Sequence, residues 1–144
     1  MADHVTEEQM SHFTTLATKI TDSDALCAAL ADVGFDDVEV HDQAQPLYGY
    51  RGDRRVDVAH VIVRRRHVGR ASNDIGFVRG SDGHFIAAIS EYDRRKYNEA
   101  WLGRVTARHA YHLTTRTLAD QGFHLADETT DRDGTVRMVL RRVQ

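Results

Sequence analysis

The sequence predicts a single α+β domain, in which a mostly antiparallel sheet carries two helices packed on one of its faces. Two observations support this fold class. Segments with the period of β-strands are grouped between two segments with helical spacing and do not alternate with them one by one, which is typical of α+β folds. The chain of 144 residues also has the usual size of one domain, and 41% of its residues are hydrophobic. Such a chain can bury a core without disulfides.

The start of the domain is predicted to form a strand, a helix and a second strand. Residues 13–20 alternate loosely and predict the first strand. Ser23 and Asp24 offer capping oxygens to the helix, whose apolar residues recur at helical spacing. Gly34 is expected to end this helix in the left-handed conformation. Residues 38–40 then continue as a strand.

The segment 42–55 is predicted to be the longest irregular stretch, because turn-forming residues dominate it and it holds the only proline, Pro46. Irregular segments often carry function. Tyr48, Tyr50 and Arg51 form the combination of aromatic and arginine side chains that is enriched at interface hot spots. They are therefore candidate binding residues. The alternative, a loop that only covers the sheet, stays open.

The rest of the chain predicts a three-stranded meander, the main helix and a final hairpin. The meander begins with the β-branched residues 56–63, and the main helix is predicted over residues 97–121. Gly122 ends it as Gly34 ends the first helix, and the last hairpin turns at residues 133–134. An ancient duplication would explain the two similar helix ends and give a pseudo-symmetric sheet. Convergent helix termination is the alternative.

Composition narrows the function classes. The formal net charge of −3 argues against a general polyanion binder, and the single cysteine, Cys27, excludes a disulfide framework and a cysteine-based zinc site. No apolar run approaches the ~20 residues of a membrane span, and no signal pattern opens the chain, so we expect a cytoplasmic protein. Without a phosphate-binding loop or a nucleophile elbow, an enzyme is the less favoured class. Residues 1–9 are polar and predict a flexible extension of the domain 10–144.

Three histidines are candidate metal ligands. His109 and His112 lie three residues apart on the main helix, so both imidazoles can point to the same side. His12, at the first strand, would be a third donor in a site suited to zinc or another transition metal. Tyr111 would orient a water or a substrate beside them. The favoured alternative is structural and needs no cofactor: His109 hydrogen-bonds inward, while His112 and Tyr111 connect the helix to the sheet.

The strongest basic cluster is formed by Arg64, Arg65, Arg66 and His67, followed by Arg70. A phosphate, a nucleic acid or an acidic protein surface could dock there. In a strand, however, alternate side chains face opposite sides, so three consecutive arginines cannot form one flat platform. Aromatic residues also interleave poorly with the arginines. The favoured interpretation is a solvated edge that discourages aggregation between sheets.

Six motifs in a fixed order resemble those of a known family. They are Met10-Ser11-His12-Phe13-Thr14, Ala29-Leu30 with Gly34-Phe35, Gly49-Tyr50-Arg51-Gly52, Asp74-Ile75-Gly76-Phe77, Ala110-Tyr111-His112, and Asp133-Gly134-Thr135-Val136-Arg137-Met138-Val139-Leu140. On these motifs the chain resembles, from residue 10 to its end, the family of hypothetical chloroplast reading frame thirty-five, a domain of unknown function in cyanobacteria, plastids and other bacteria. The resemblance implies no established activity. It implies an accessory role, because similar proteins resemble products encoded near ATPases of the AAA type.

The leading function hypothesis is therefore a non-enzymatic adaptor that acts through a partner protein, with an AAA-type ATPase as the implied partner. Its expected surface combines Tyr48–Arg51 with the basic cluster. The second hypothesis is a metal or small-ligand site at His12, His109 and His112, and nucleic-acid binding through residues 64–70 is the third. Edge strands make self-association easy, so a homo-oligomer is a further expectation.

Overall fold

The computed structural model describes residues 12–143, which form a five-stranded antiparallel sheet, a separate two-stranded hairpin and two long helices. The elements in chain order are β1 (Phe13–Ala17), α1 (Ser23–Asp32), β2 (Glu39–Tyr48), β3 (Arg54–Val63), the single-turn α2 (Arg65–Val68), β4 (Ile75–Arg79), β5 (Phe85–Ser90), a 3₁₀ turn (Asp93–Arg95), α3 (Glu99–Asp120), β6 (Phe123–Thr130) and β7 (Val136–Arg142). The larger sheet has the order β1-β5-β4-β3-β2, and β6 pairs with β7. The predicted α+β class is confirmed. The predicted extension 1–9 lies outside the described residues.

The main core lies between one face of the larger sheet and the two long helices. Phe77 and Phe85 are fully buried on the sheet side. On the helix side, the ring of Trp101 packs edge-on against Tyr97, with 5.2 Å between centroids, and also contacts Phe35. Because α1 and α3 both contribute buried side chains to this single cluster, the helices pack on one face of the sheet, as the sequence predicted.

The opposite face of the larger sheet carries a smaller apolar cluster, which depends on a glycine. Its buried members are Phe13, Leu47, Ala59, Ile62 and Ala88. Gly76, in β4, lies beneath them: a Cβ at this position would be 2.6 Å from the Ala59 Cβ and 2.9 Å from the Leu47 Cδ2. Close approach of these side chains therefore requires glycine at this position.

Helix α1 begins at a cap that differs from the predicted one. The Asp22 carboxylate accepts the N–H of Ala25 at 2.8 Å, and Asp22 itself has an extended backbone. The predicted caps, Ser23 and Asp24, already lie within the helix. A capping residue must stand outside the helix while its side chain bonds back into the first turn, and only Asp22 meets that condition. The predicted ending is confirmed, since Gly34 has a φ of 106°.

The predicted irregular segment 42–55 is wrong over half of its length. Strand β2 continues through Pro46 to Tyr48, and only the short turn Gly49–Asp53 separates it from β3. Proline is tolerated because β2 is an edge strand and its register with β3 shifts on both sides of Pro46. Pairing with the long β3 thus overrides the local turn preference.

The basic cluster does not continue strand β3, which corrects the prediction that Arg64, Arg65 and Arg66 alternate between the two sides of a strand. Strand β3 ends at Val63, and the chain then makes one helical turn, in which the Gly69 N–H donates to the Arg65 carbonyl at 3.1 Å. The argument from alternating sides of a strand therefore does not apply to these arginines. They surround a helical turn at the end of the sheet.

The C-terminal part agrees with the predicted elements. Helix α3 begins after Asn98, whose side chain accepts the N–H of Trp101 at 3.1 Å. The final hairpin turns at Gly134, which has a φ of 88°. Each long helix is followed by an antiparallel strand pair, but β2 and β3 belong to the larger sheet whereas β6 and β7 form their own. The duplication stays a prediction.

Candidate functional site

A cleft at the β2–β3 turn brings Tyr48 together with the basic cluster, while the other two candidates of the turn, Tyr50 and Arg51, lie outside its lining. We call it the arginine cleft; it is lined by Tyr48, Gly52, Arg64, Arg65, Arg66, Gly69, Arg70 and Asp74. Its volume of about 580 Å³ is within the range of about 300–1,000 Å³ that is usual for ligand sites. The cleft forms because the β2–β3 turn, α2 and the start of β4 meet at one end of the sheet.

Arg64 holds the wall of the cleft in place. Its Nε and Nη2 donate to the two carboxylate oxygens of Glu39 at 2.7 and 2.8 Å. Its Nη1 donates to Asp74 Oδ2 at 2.8 Å and to the Pro46 carbonyl at 3.1 Å. The guanidinium also lies 5.5 Å from the ring centroid of Tyr48. Because all three nitrogens are bonded within the protein, Arg64 supports the wall of the cleft that it lines.

The charges of this wall are fixed over a wide pH range. The hydrogen bond from Arg64 lowers the pKa of Glu39 to about 2, and the imidazole of His41, 2.8 Å away, acts in the same direction. In return, the Glu39 carboxylate raises the pKa of the Arg64 guanidinium. The Arg64–Glu39 pair therefore stays ionised at neutral pH and carries no proton that could be transferred.

Asp74 is the buried anchor of the cleft, with only 1% of its side chain exposed. Its Oδ1 accepts the backbone N–H of Arg65 at 2.7 Å, and its Oδ2 accepts that of Tyr48 at 2.7 Å. The backbone N–H of Asp74 donates back to the Tyr48 carbonyl at 3.0 Å. With the bond from Arg64, one carboxylate fixes β2, α2 and β4 relative to one another.

The β2–β3 turn is tied down by a second, buried network. The N–H of Tyr50 donates to Asn73 Oδ1 at 2.8 Å, and Arg65 Nη1 donates to the Tyr50 carbonyl at 2.9 Å. Asn73 in turn donates to Asp93 Oδ2 from its backbone and its side chain, and Ser90 Oγ donates to the same oxygen at 2.8 Å. Polar networks of this kind rigidify a site when their polar groups all have hydrogen-bond partners.

Arg66 and Arg70 face outward, and they have no acidic partner among the residues that the structure describes. Arg66 and Arg70 are exposed, and within residues 12–143 neither forms an ion pair with a carboxylate. The side chain of Arg65 donates to a neutral carbonyl. Beside the cleft, the guanidinium of Arg51 lies 5.3 Å from the ring centroid of Tyr50. At Arg65, Arg66 and Arg70, the arginine cleft therefore presents positive charge that no carboxylate within residues 12–143 neutralises.

Comparison with known proteins identifies the family. A family profile described as "Protein of unknown function (DUF1257)" matches residues 29–139. The chain belongs to this family. The match includes the arginine cleft and helix α3, and the resemblance inferred from the sequence motifs is confirmed. No solved structure matches the chain.

Three relatives from algal species match nearly the whole chain, and each is named "Uncharacterized protein ycf35". The protein of Guillardia theta is 26% identical over 134 residues, that of Pyropia yezoensis is 24% identical over 133 residues, and that of Cyanophora paradoxa is 27% identical over 134 residues. Each alignment covers 92% of this chain and 98% of the relative. These names assign no activity to the family. Within residues 12–143, no helix is long and apolar enough to cross a membrane.

His109, the first of the candidate metal ligands, is only 3% exposed and is engaged inside the protein. Its Nε2 lies 3.3 and 3.2 Å from the backbone nitrogens of Thr21 and Asp22, and accepts both N–H groups. An acceptor nitrogen carries no proton, and burial lowers the pKa of His109 in agreement with this geometry, although the nearby Asp22 carboxylate opposes the shift. The imidazole thus supplies a hydrogen-bond acceptor for two backbone N–H groups just before α1.

His112 and Tyr111 connect helix α3 to two different elements. The His112 Nε2 lies 2.7 Å from Oδ2 of Asp32, at the end of α1. The Tyr111 hydroxyl donates to Glu128 Oε2 in β6 at 3.0 Å. The structural alternative had both residues connect the helix to the sheet. Tyr111 contacts a strand of the hairpin, as that alternative expects, whereas His112 contacts the other long helix.

The three candidate ligands are not brought together. His12 lies beside Glu91, with 3.9 Å between the imidazole and the carboxylate. His109 contacts Thr21, beyond the opposite end of β1, and a five-residue strand alone extends over about 16 Å. In the part of the chain that the structure describes, no group of three or more His, Cys, Asp or Glu side chains could hold a metal ion.

Sequence reasoning missed the residues that organise the arginine cleft. Asn73 and Asp74 are both fully buried, yet neither was a candidate. The available signal was an adjacent pair of polar residues placed directly before the apolar strand that begins at Ile75, just after the basic cluster. Buried polar side chains need partners, so such a pair indicates a network even before the partners are known.

Proposed function

We propose that this protein is a non-enzymatic binding domain that captures an acidic segment of a partner protein in the arginine cleft. One observation carries the proposal: Arg65, Arg66 and Arg70 line one cleft, and their side chains have no carboxylate partner within residues 12–143. Because arginine forms charge-assisted and bidentate hydrogen bonds with carboxylates, glutamate or aspartate side chains are suited to this surface.

Binding is favoured over catalysis by the state of the acidic groups. Asp74 accepts three hydrogen bonds and is buried, while Glu39 is held ionised by Arg64. General acid–base catalysis needs a group whose pKa is near the working pH, and Glu39, with a pKa of about 2, does not provide one. The cleft offers fixed positive charge and a defined shape, which are properties of a recognition surface.

A protein partner is favoured over a nucleic acid by the surroundings of the tyrosines. Proteins that bind single-stranded nucleic acids stack the bases on exposed aromatic side chains. Here Arg64 lies over the ring of Tyr48, and Arg51 lies over the ring of Tyr50. A cation on the ring competes with a base for that face. An ATPase of the AAA type is the first partner to consider, because proteins that the chain resembles are encoded near such ATPases.

The test is direct binding of a fluorescent peptide rich in Glu and Asp, followed by anisotropy. A double variant, Arg66→Gln with Arg70→Gln, is compared with Arg132→Gln and Arg141→Gln, which remove the same charge from the β6–β7 hairpin. Each lost charge-assisted bond at a partly exposed site is worth about 1 kcal/mol, so the cleft variant should bind about tenfold or more weakly. Equal affinity of the two double variants would refute the proposal.

The other hypotheses have less support. His12 and His109 lie near opposite ends of β1, so they do not form one site. Self-association through edge strands stays a prediction, which sedimentation of the full chain would check. Nucleic-acid binding is examined in the same anisotropy assay by competition with an RNA oligonucleotide, whose binding would fall steeply with added salt.

A further inference from the structure

A second cleft adjoins the arginine cleft and shares two of its residues. We call it the Lys96 cleft; it has a volume of about 560 Å³ and is lined by Val68, Gly69, Arg70, Ala71, Ser72, Tyr92, Asp93, Arg95, Lys96 and Tyr97. Gly69 and Arg70 line both clefts. The segment between Gly69 and Ser72 therefore forms the boundary between them.

This boundary is a tight turn with Arg70 near its tip. The Ser72 N–H donates to the Gly69 carbonyl at 3.2 Å, which closes the turn. A Cβ on Gly69 would lie 2.7 Å from Ser72 Oγ, so the turn is packed against its own end. Arg70 is exposed at this position. A ligand in either cleft can contact its guanidinium, and one ligand can cross the turn from one cleft to the other.

The charge of the Lys96 cleft matches that of its neighbour. Arg95 and Lys96 are exposed, and within residues 12–143 neither pairs with a carboxylate; the Arg95 Nε donates to the Tyr92 carbonyl at 3.2 Å. Asp93, the one acidic residue among the described residues that line this cleft, is buried, and its Oδ2 accepts bonds from Asn73 and Ser90. The exposed charge that the described residues give both clefts is therefore positive.

We propose that the two clefts form one continuous track for an extended acidic segment of a partner protein, with carboxylates at both ends of the segment and Arg70 at its middle. This inference rests on the proposed function of the arginine cleft, and it adds the ligand's form: two acidic groups joined by a spacer that crosses the Gly69–Ser72 turn. A strand-like segment is suited to the track, since it spans about 3.3 Å per residue.

The aromatic residues of the Lys96 cleft argue for a protein segment here as well. The guanidinium of Arg95 lies 4.1 Å from the ring centroid of Tyr92, and the Lys96 ammonium lies 5.4 Å from that of Tyr97. Tyr97 is also buried. The cation over each ring competes with a base for that face.

The experiment compares two peptides that bind the full chain: one with a single acidic cluster, and one with the same cluster joined by a Gly/Ser spacer to a second. The two-cluster peptide should bind about tenfold more tightly, because its second contact is intramolecular. Lys96→Gln with Arg95→Gln should remove this advantage and leave binding of the single-cluster peptide unchanged. Lys19→Gln with Arg132→Gln is the matched control, since it removes the same charge at residues that line neither cleft, and Lys19 is the only other lysine.

Lysine acylation, followed by mass spectrometry, gives a second and independent measurement. The two-cluster peptide should protect Lys96 from acylation and leave Lys19 reactive, whereas the single-cluster peptide should protect neither. If both peptides bind equally and Lys96 stays reactive, the continuous track is refuted while the arginine cleft stands. If neither peptide binds, the proposed function itself fails. An RNA oligonucleotide that displaces the peptide and protects Lys96 more strongly would overturn the assignment of the track to a protein segment.

Discussion

Arg64 and Arg66 are two residues apart, but their replacement by methionine should have different effects. Arg64→Met should mainly lower the free energy of unfolding, and Arg66→Met should mainly weaken peptide binding. Methionine keeps much of the apolar stem of arginine and removes the guanidinium. Arg64→Met would delete the paired bonds to Glu39, the bond to Asp74 and the bond to the Pro46 carbonyl. Asp74 would then keep two backbone N–H donors and lose the guanidinium that pairs with its buried carboxylate.

The size of the effect follows from the exposure of each partner. Removing one partner of a buried ion pair costs about 3–5 kcal/mol, but the two N–H donors that remain on Asp74 reduce this cost. Glu39 is 36% exposed, and its pair contributes about 0.2–1 kcal/mol. We therefore expect Arg64→Met to lower the free energy of unfolding by about 2–4 kcal/mol. Arg66→Met, at an exposed residue, should change it by less than about 0.5 kcal/mol.

Urea unfolding, followed by circular dichroism, measures both variants. With a slope of about 1–3 kcal/mol per molar urea, Arg64→Met should move the midpoint down by about 1–2 M, and Arg66→Met should leave it in place. Binding of the acidic peptide should show the reverse order, because the proposed function has Arg66 contact the ligand and Arg64 support the wall. Equal midpoints for the two variants would refute the structural role of Arg64.

Two further predictions concern stability. Gly76→Ala should destabilise the protein by about 1–3 kcal/mol through overpacking, because the new Cβ would lie 2.6 Å from the Ala59 Cβ. Gly103→Ala is the control: it lies on an exposed face of α3 with nothing within 4 Å of a Cβ, so it should raise the melting temperature. A lower melting temperature in both variants would contradict the prediction. His109 has a pKa below its ordinary value of 6.5 when folded, so the unfolded chain binds more protons just below pH 6.5 and stability should fall as the pH is lowered through this range. Urea midpoints measured against pH should show a smaller slope there for His109→Asn, and an unchanged slope would contradict the prediction.

Local features of the chain were predictable where neighbouring residues decide the conformation. Gly34 and Gly122 both adopt a positive φ at the ends of the long helices, as expected for residues without a Cβ. The β2 strand was missed for the opposite reason. Its turn-forming residues and Pro46 are overridden by pairing with β3, a contact that cannot be inferred from residues 42–55 alone.

The candidate site shows the same division at the level of single side chains. The sequence identified Tyr48, Arg65 and Arg66 as binding candidates, because aromatic and basic residues mark recognition surfaces wherever they lie. It placed Arg64 in the same group. Only the contacts of the folded chain separate Arg64 from its neighbours, since Glu39 lies 25 positions away in the sequence.

The sequence by itself determined the α+β class, the two helix endings, the final hairpin turn and the family, because these depend on periodicity, on glycine and on short motifs. The tertiary structure decided which arginines are paired and which are open to a ligand. Folding brings β2 and α2 next to Asp74, which directly precedes β4. The buried carboxylate of Asp74 needs hydrogen-bond donors, and Tyr48, Arg64 and Arg65 provide them. Such a requirement arises only when distant segments meet, so no local pattern in the chain contains it.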